Sequence, residues 1–288
     1  MYQFFKPNLD ELNSIIGKTL APKNECPEKI DVVQTGWTNI TMNVSSKNGE
    51  YIFRFPRNHF FAKAMVKDCM ACRFLADKVS SPIPQMSLQL DQNRPYSMHP
   101  KIKGEPLDKI MPTLTVSEKK FIAEELAEFL VQLQSIPLAE VPAIMKKPLN
   151  QFLIELAGVH QGDYDLSRHA LWAKTEQGTI WPCLSHGDFH PGNILIGPDK
   201  KVAGVIDFAF ITMSDCHADL GRFVSRSDAY MSDALIQTYQ KRSPHLCQFD
   251  KIQQMADLFH YVDHKYVQYM QRAHPEIIIP KMLMSPTK

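Results

Sequence analysis

The sequence has almost no excess of charge of either sign. Its 32 lysine and arginine residues are balanced by 31 aspartate and glutamate residues, which leaves a formal net charge of +1 at pH 7. Proteins that attract nucleic acid or anionic membranes through their overall field usually carry a clear basic excess. We therefore expect neither nucleic acid nor a membrane among the partners of this protein.

Long apolar runs and cysteines are also scarce. No stretch approaches the roughly 20 apolar residues of a membrane-spanning helix, and residues 1–7 lack the apolar core of a signal peptide. We therefore expect a cytoplasmic protein. Six cysteines in 288 residues are too few for a disulfide framework. Cys69 and Cys72 have CxxC spacing without a second pair, so we interpret them as buried thiols on one face of a helix.

The stretch that carries most chemical information is His-Gly-Asp-Phe-His-Pro-Gly-Asn at residues 186–193. Its glycines and its proline favour a loop over a helix. Apolar residues 194–196 and 202–206 flank a Gly-Pro-Asp-Lys turn and predict two paired strands. This hairpin would bring Asp207 back beside the loop.

Three oxygen-bearing side chains, those of Asp188, Asn193 and Asp207, are therefore predicted to converge at one end of the hairpin. Carboxylate and amide oxygens suit Mg²⁺, which usually keeps waters and phosphate oxygens as its other ligands. A carboxylate that does not bind the metal is free to accept a proton or to orient a hydroxyl group. The three residues together predict a magnesium-dependent site.

The order and spacing of these residues resemble the catalytic centre of the aminoglycoside phosphotransferase family, a branch of the protein-kinase-like superfamily. The family pattern is His-Gly-Asp, four residues, Asn, and then Ile-Asp-Phe or Ile-Asp-Trp, and it stands here at residues 186–193 and 206–208. The resemblance implies an α+β, kinase-like bilobal fold, with a small antiparallel-sheet N-lobe and a larger, mainly helical C-lobe. It also implies that Asp188 is the catalytic aspartate and that Asn193 and Asp207 bind the metal.

Two other interpretations of this stretch are open. His186, Asp188 and His190 could form a transition-metal cluster, because imidazole and carboxylate groups suit Zn²⁺ or Fe. The spacing of Asn193 and Asp207 would then be accidental. The histidines could also only bond to main-chain groups, and for His186 we favour this structural role. His190 stays unassigned.

Three short apolar runs precede this stretch and predict a meander of strands with an Asn-Gly hairpin turn. The runs cover residues 30–33, 40–44 and 51–55. A meander followed by a helix resembles the start of a kinase N-lobe. In that setting the turn that contains Gly36, Thr38 and Asn39 resembles the loop over the nucleotide phosphates, although it has one glycine where protein kinases have three.

Arg54 is a charged residue inside the third apolar run, where an unpaired charge would be costly. Its place matches the kinase lysine that contacts the α- and β-phosphates, and an arginine fork can also bind phosphate. The next helix, predicted from about residue 62 to 79, carries Asp68 where kinases place a glutamate. Asp68 is either the partner of Arg54 or an ordinary solvated residue.

The segment Lys-Ile-Lys-Gly-Glu-Pro-Leu at residues 101–107 resembles the stretch that follows the hinge in this family. The resemblance implies that the adenine ring meets the main chain around Met98, His99 and Lys101. We expect the lobe boundary here. The chain then divides into a nucleotide-binding N-lobe, residues 1–97, and a C-lobe with the catalytic loop and the acceptor site, residues 98–288.

The chain beyond the hinge has helical patterns. Thr115-x-x-Glu118 is a capping box ahead of an apolar stripe, and further helices are predicted between residues 149 and 180. The segment that contains Asp219 resembles a family segment, and we expect Asp219 to brace the catalytic loop. Asp263 lies on a C-terminal amphipathic helix and is a candidate contact for the acceptor.

These patterns predict a small-molecule kinase that transfers the γ-phosphoryl group of ATP or GTP to a substrate hydroxyl, with Mg²⁺ as the metal. An aminoglycoside is the first choice of acceptor. Metabolic kinases for choline, homoserine or a sugar share the same motifs. A nucleotide-binding pseudokinase is the alternative outside enzymes, because Arg54 and Asp68 stand where kinases carry lysine and glutamate.

Overall fold

The computed structural model describes residues 8–33, 38–149, 151 and 182–273. The first half of the described chain is built on a five-stranded antiparallel sheet with the order β1-β2-β3-β5-β4. Its strands are β1 Pro27–Val33, β2 Asn39–Ser46, β3 Gly49–Pro56, β4 Ser87–Asp91 and β5 Arg94–Pro100. The predicted meander is therefore confirmed. Its hairpin turn between β2 and β3 consists of Lys47 and Asn48 rather than Asn48 and Gly49, because Gly49 already pairs with Ser46 as the first residue of β3.

Alternation along β3 decides which side chains reach the face of the sheet used by the functional site. Phe53 and Phe55 are fully buried and pack in one cluster with helix α1, Leu9–Leu20. Arg54 stands between them in sequence and points to the opposite face, because successive side chains of a strand alternate. That opposite face lines the cleft described below.

Helix α2 covers His59–Leu75, so it begins and ends earlier than the predicted range of 62–79. It begins at His59 because Asn58 caps it, with Asn58 Oδ1 accepting the Phe61 N–H over 3.0 Å. The apolar pattern used for the prediction does not contain this polar cap. Its two cysteines, Cys69 and Cys72, are buried and make no disulfide, as interpreted from the sequence.

The second half of the described chain is mainly helical. Helix α4, Val116–Gln134, begins with the predicted capping box, in which Thr115 and Glu118 each accept the main-chain N–H of the other. Its apolar stripe packs in the largest hydrophobic cluster, where Phe129 stacks on Phe189 of the catalytic loop. The other described helices are α3 Leu107–Ile110, α5 His217–Val224, α6 Ala229–Arg242 and α7 Phe249–Ala273.

Two small sheets hold the loop at residues 186–193. Strands β6 Glu105–Pro106, β8 Ile194–Ile196 and β9 Val202–Val205 form one antiparallel sheet, and β7 Pro182–Ser185 pairs with β10 Thr212–Asp215 in the other. The β8–β9 pair confirms the predicted hairpin. The hairpin lies between the loop at residues 186–193 and Asp207 in sequence. Because its strands are antiparallel, the loop and Asp207 lie at the same end of the sheet.

The helices predicted between residues 149 and 180 fall, apart from Leu149 and Gln151, outside the described residues. Within the described ranges, every helix is too short or too polar to cross a membrane.

Candidate active site

One cleft between the five-stranded sheet and the helical half of the described chain contains the residues singled out in the sequence. Its volume is about 670 Å³, within the usual range for ligand-binding pockets. Asp188, Asn193, Asp207 and Arg54 all line it. The three oxygen-bearing side chains at the end of the hairpin therefore face a shared space.

Asp219 holds the main chain of the catalytic loop from helix α5. Its carboxylate accepts hydrogen bonds from Ser185 Oγ over 2.8 Å, from the His186 N–H over 2.9 Å and from the Gly187 N–H over 3.0 Å. The residue is buried, and burial raises the pKa of its carboxyl group in spite of these donors. Asp219 therefore has the bracing role expected from the sequence.

His186 and Gly187 set the shape of the loop. His186 Nδ1 accepts the Asp188 N–H over 3.3 Å, and Nε2 lies 3.1 Å from the carbonyl oxygen of Ile206, so Nε2 carries the ring proton and donates it. Gly187 has a φ of +79°, and a Cβ there would lie 2.1 Å from the carbonyl oxygen of Phe210. Only glycine fits at position 187. Because both ring nitrogens of His186 bond to main-chain groups, His186 has a structural role.

Asn193 is tied to Asp188 through its amide nitrogen. Nδ2 donates to the main-chain oxygen of Asp188 over 2.9 Å and lies 3.3 Å from Asp188 Oδ2. Asn193 ends a short 3₁₀ turn, Pro191–Asn193, which is the one helical feature inside the predicted loop. Because the amide nitrogen faces Asp188, the amide oxygen is left available to a cation.

Asp207 has a left-handed backbone, with φ at +67° and ψ at +64°. Its Oδ1 lies 3.4 Å from Arg54 Nη2, while Oδ2 has no hydrogen-bond partner among the described residues. Burial raises the pKa of this carboxyl group, and the nearby Asp68 and Asp188 carboxylates add to the effect. A divalent cation would compensate the negative charge of the Asp207 carboxylate. The oxygens of Asn193 and Asp207 are the hard donors that fit Mg²⁺.

Arg54 and Asp68 are paired inside the protein. Arg54 Nη1 lies 2.5 Å from Asp68 Oδ2, and the two side chains are 10% and 0% exposed. Asp68 Oδ1 accepts the main-chain N–H of Phe208 over 2.9 Å. Asp68 is therefore the partner of Arg54 and not an ordinary solvated residue. Asp68 also binds the segment that begins with Asp207.

Asp188 has a second partner that the motifs did not indicate. Nε and Nη2 of Arg222 each lie 2.7 Å from Asp188 Oδ1. Burial opposes ionisation of Asp188, but Arg222, with His190 and Arg226 nearby, holds the pKa of its carboxyl group well below the usual value. Arg222 follows Asp219 by three residues on a helix, so both face the loop. That spacing is the sequence signal from which Arg222 could have been found.

His190 lies beside Asp188 and is neutral. Its Nδ1 lies 3.0 Å from the Gly192 N–H, and its Nε2 lies 3.6 Å from Asp188 Oδ2. Nε2 also lies 3.1 Å from Arg226 Nη1, so the Gly192 N–H and the Arg226 guanidinium compete for the single acceptor nitrogen of the neutral ring. Burial and the charge of Arg226 lower the pKa of His190 to about 4.

The transition-metal interpretation of the His-x-Asp-x-His sequence finds no support in this geometry. His186 uses both ring nitrogens on main-chain groups, and His190 uses Nδ1 in the same way. In the described part of the chain, the one cluster of three side chains spaced to ligate a metal is Asp215, Cys216 and His217, outside this loop.

The predicted phosphate loop is described only in part. Thr38 and Asn39 line the cleft at the start of β2, and Asn39 Nδ2 donates to Thr38 Oγ1 over 2.8 Å. Gly36 lies outside the described residues.

The predicted hinge residues divide between two faces. His99 and Lys101 line the cleft, whereas the Met98 side chain packs in the cluster under α1, because alternate residues of β5 face opposite ways. The main-chain N–H of Lys101 already donates to the carbonyl oxygen of Glu50 over 2.9 Å. The Met98 side chain therefore points away from the cleft, and the contact of the base with the main chain around Met98 stays a prediction. Strand β5 continues to Pro100, three residues beyond the predicted boundary at residue 97.

Residues 29–248 match the sequence model of the phosphotransferase enzyme family. The chain belongs to this family. A comparison with curated protein sequences gave no match. The predicted identity as a phosphotransferase that acts on a hydroxyl group is thus confirmed at the level of the family.

Solved structures share the fold of this phosphotransferase over nearly its whole length. Aminoglycoside 2'-phosphotransferase-IIIa in complex with GDP is 19% identical, with 94% of this chain and 95% of that chain covered and a TM-score of 0.70. The gentamicin complex of APH(2")-IIa is 19% identical, with coverage of 99% and 95% and a TM-score of 0.64. Macrolide 2'-phosphotransferase MphH from Brachybacterium faecium is 13% identical, with coverage of 92% and 95% and a TM-score of 0.64. The predicted kinase-like α+β fold is confirmed.

Proposed function

We propose that this phosphotransferase transfers the γ-phosphoryl group of ATP or GTP to a hydroxyl group of a small molecule. The observation that carries the proposal is the arrangement of Asp188, Asn193, Asp207 and Arg54 around one cleft. Phosphoryl transfer depends mainly on positioning and on neutralising charge, and these four residues offer both. A cytoplasmic location, where nucleoside triphosphates are available, is part of the proposal.

Asp188 is the proposed catalytic residue. In the reaction the acceptor oxygen forms a bond to the γ-phosphorus, the bond from that phosphorus to the β–γ bridging oxygen breaks, and the nucleoside diphosphate leaves. The proton of the acceptor hydroxyl passes to Asp188. Oδ2 is the oxygen suited to this task, because Oδ1 is already engaged by Arg222.

Asn193 and Asp207 are the proposed ligands of Mg²⁺. When bound, the metal would neutralise charge on the phosphate oxygens. The protein contributes a fixed amide, which is held by its bond to Asp188, and a carboxylate with an oxygen that has no protein partner among the described residues. Arg54 adds a fixed positive charge beside Asp207, and we propose that it steadies the phosphates.

The nucleotide is proposed to lie under the sheet, with its phosphates beneath Gly36, Thr38 and Asn39. For the base we propose contacts with the main chain around Met98, His99 and Lys101, and the latter two residues also line the cleft. The division into lobes at residues 1–97 and 98–288 stays a prediction.

An aminoglycoside is our first proposal for the acceptor, and a macrolide or a small metabolite such as choline, homoserine or a sugar is the second. The gentamicin complex of APH(2")-IIa and the macrolide 2'-phosphotransferase MphH share the fold, which makes both antibiotic classes the first to test. The pseudokinase alternative is less well supported, because Arg54 keeps a buried acidic partner in Asp68.

The test is a panel of acceptors in an assay of ATP and GTP consumption, with the phosphorylated product identified by mass spectrometry. We expect one acceptor class to raise consumption well above the rate with water alone, and Asp188→Asn to abolish this increase while still binding Mg²⁺–nucleotide. If Asp188→Asn consumes nucleotide with the acceptor at the wild-type rate, the proposal is refuted. Tight nucleotide binding without transfer to any acceptor would favour the pseudokinase.

A further inference from the structure

Arg222 occupies one oxygen of the proposed catalytic carboxylate. Its Nε and Nη2 both lie 2.7 Å from Asp188 Oδ1. Arg222 is buried and Asp188 is partly buried, with side-chain exposures of 6% and 16%. A charge-assisted contact in such a position is strong and directional. The orientation of the Asp188 carboxylate is therefore determined by a residue 34 positions away on helix α5.

Arg222 is itself oriented by Asp263 from helix α7. Nη1 of Arg222 lies 2.7 Å from Asp263 Oδ2, and Nη2 lies 3.0 Å from Asp263 Oδ1. The guanidinium group also lies over the ring of Phe259, with Cζ 5.1 Å from its centroid. Asp263 receives a further hydrogen bond from Arg226 Nε over 2.8 Å. Arg222 is thus held on three sides.

Asp188 Oδ2 has a different environment from Oδ1. The nitrogens near it are Asn193 Nδ2 at 3.3 Å and His190 Nε2 at 3.6 Å, and both distances are longer than the Arg222 contacts to Oδ1. Asp188 lines the cleft, so an acceptor hydroxyl can reach the loosely bonded oxygen. A carboxylate free to rotate would present either oxygen, and phosphoryl transfer depends on accurate placement of the hydroxyl.

We propose that Arg222 is a positioning residue of this enzyme, which fixes the Asp188 carboxylate through Oδ1 so that Oδ2 receives the acceptor hydroxyl, and that Asp263 acts as its brace. The inference rests on the proposed function, because it assigns Arg222 a part in that reaction. It also gives Asp263 a different role from the acceptor contact suggested by the sequence. Asp263 uses both oxygens on Arg222 and Arg226, so it acts on the acceptor site through these arginines.

The experiment compares Arg222→Ala, Arg222→Lys and Asp263→Asn with the wild type, using the acceptor found in the panel. We expect Arg222→Ala to lower kcat by about 100-fold, since misplacement by about 1 Å can have such an effect, while the KM for the nucleotide changes little. The kcat of Arg222→Lys should lie between those of the wild type and Arg222→Ala, because lysine keeps the positive charge but lacks the planar fork that spans both carboxylates. Methylguanidinium added to Arg222→Ala should restore part of kcat.

Arg242→Ala is the matched control, because it also removes an arginine that is paired with a carboxylate, but on the surface of helix α6. It should keep the wild-type kcat and show no response to methylguanidinium. A folded Arg222→Ala variant with the wild-type kcat would overturn the proposal. A kcat above that of the wild type would also overturn it, because Arg222 would then restrain the site. If Arg222→Ala does not fold, a folded Arg222→Lys with undiminished kcat overturns it equally.

The inference and the proposed function can fail separately. A wild-type protein that phosphorylates no acceptor would count against the function alone. Crystal structures of the wild type and Arg222→Ala then decide the role of Arg222. We expect the Asp188 carboxylate to turn or to adopt several conformers in the variant, and an unchanged single conformer would overturn the inference.

Discussion

Arg54 and Asp68 form a buried ion pair in which Nη1 lies 2.5 Å from Oδ2. The second oxygen of Asp68 accepts the main-chain N–H of Phe208, directly after Asp207. One short carboxylate on helix α2 therefore connects strand β3 with the proposed metal-binding segment. A longer glutamate side chain at this position would have to be accommodated differently, which gives the Arg–Asp combination a structural reason.

Asp68→Asn should destabilise the protein strongly. The change leaves the buried Arg54 charge without its main partner, and breaking a buried pair costs about 3 kcal/mol or more. Urea unfolding followed by circular dichroism measures the effect. Glu128→Gln, which breaks the surface pair with Arg242, is the control and should remain within about 1 kcal/mol of the wild type. Equal effects of the two changes would contradict this account of Asp68.

Asp207→Asn should remove the dependence of nucleotide binding on Mg²⁺. In the wild type, we expect Mg²⁺ to increase the thermal stabilisation that ATP or GTP provides, because a bound ligand stabilises the folded state. The variant should show the same small stabilisation with Mg²⁺ and with EDTA, since the amide is a weaker ligand than the carboxylate. The measurement is the thermal melting temperature of each protein with nucleotide, in the presence of Mg²⁺ and of EDTA. A full Mg²⁺ response in Asp207→Asn would exclude Asp207 as a ligand.

Gly187→Ala should disrupt the catalytic loop. The φ of +79° is strained for alanine, and its Cβ would meet the Phe210 carbonyl oxygen at 2.1 Å. We expect a loss of about 2 kcal/mol or more in the free energy of unfolding, together with loss of activity. Gly49→Ala is the matched control, because a Cβ there has nothing within 4 Å. Similar stability of both variants would show that the loop can adapt.

His190 should make the stability dependent on pH between about 6.5 and 4. Its pKa is lowered to about 4 in the folded protein, so below about 6.5 the unfolded state binds the extra proton first. Stability is therefore lost as the pH falls through this window, by up to about 3 kcal/mol from this residue. Urea unfolding of His190→Gln at pH 7.5 and 5 should show a smaller loss than the wild type. An identical loss would contradict a neutral, buried His190.

Much of the fold could be predicted because the relevant signals are local. The strand meander, the capping box before α4 and the β8–β9 hairpin each depend on residues close in sequence, and the structure has all three. Helix α2 was displaced by three to four residues, because its cap at Asn58 is polar and lies outside the apolar pattern. The position of Met98 in the hinge predicts a main-chain contact with the base, and strand alternation accounts for its side chain packing on the other face of the sheet.

The sequence by itself determined which chemistry this protein carries, since the spacing of Asp188, Asn193 and Asp207 is a property of one loop and one hairpin. The tertiary structure alone decided how these groups are held and charged. Arg222 reaches the loop with Asp263 behind it only because helices α5 and α7 pack together, and Asp68 meets Arg54 only because α2 packs against β3. The physical reason is that a buried charge takes its partner from whatever packing brings within about 3 Å, and separation in sequence places no limit on that choice.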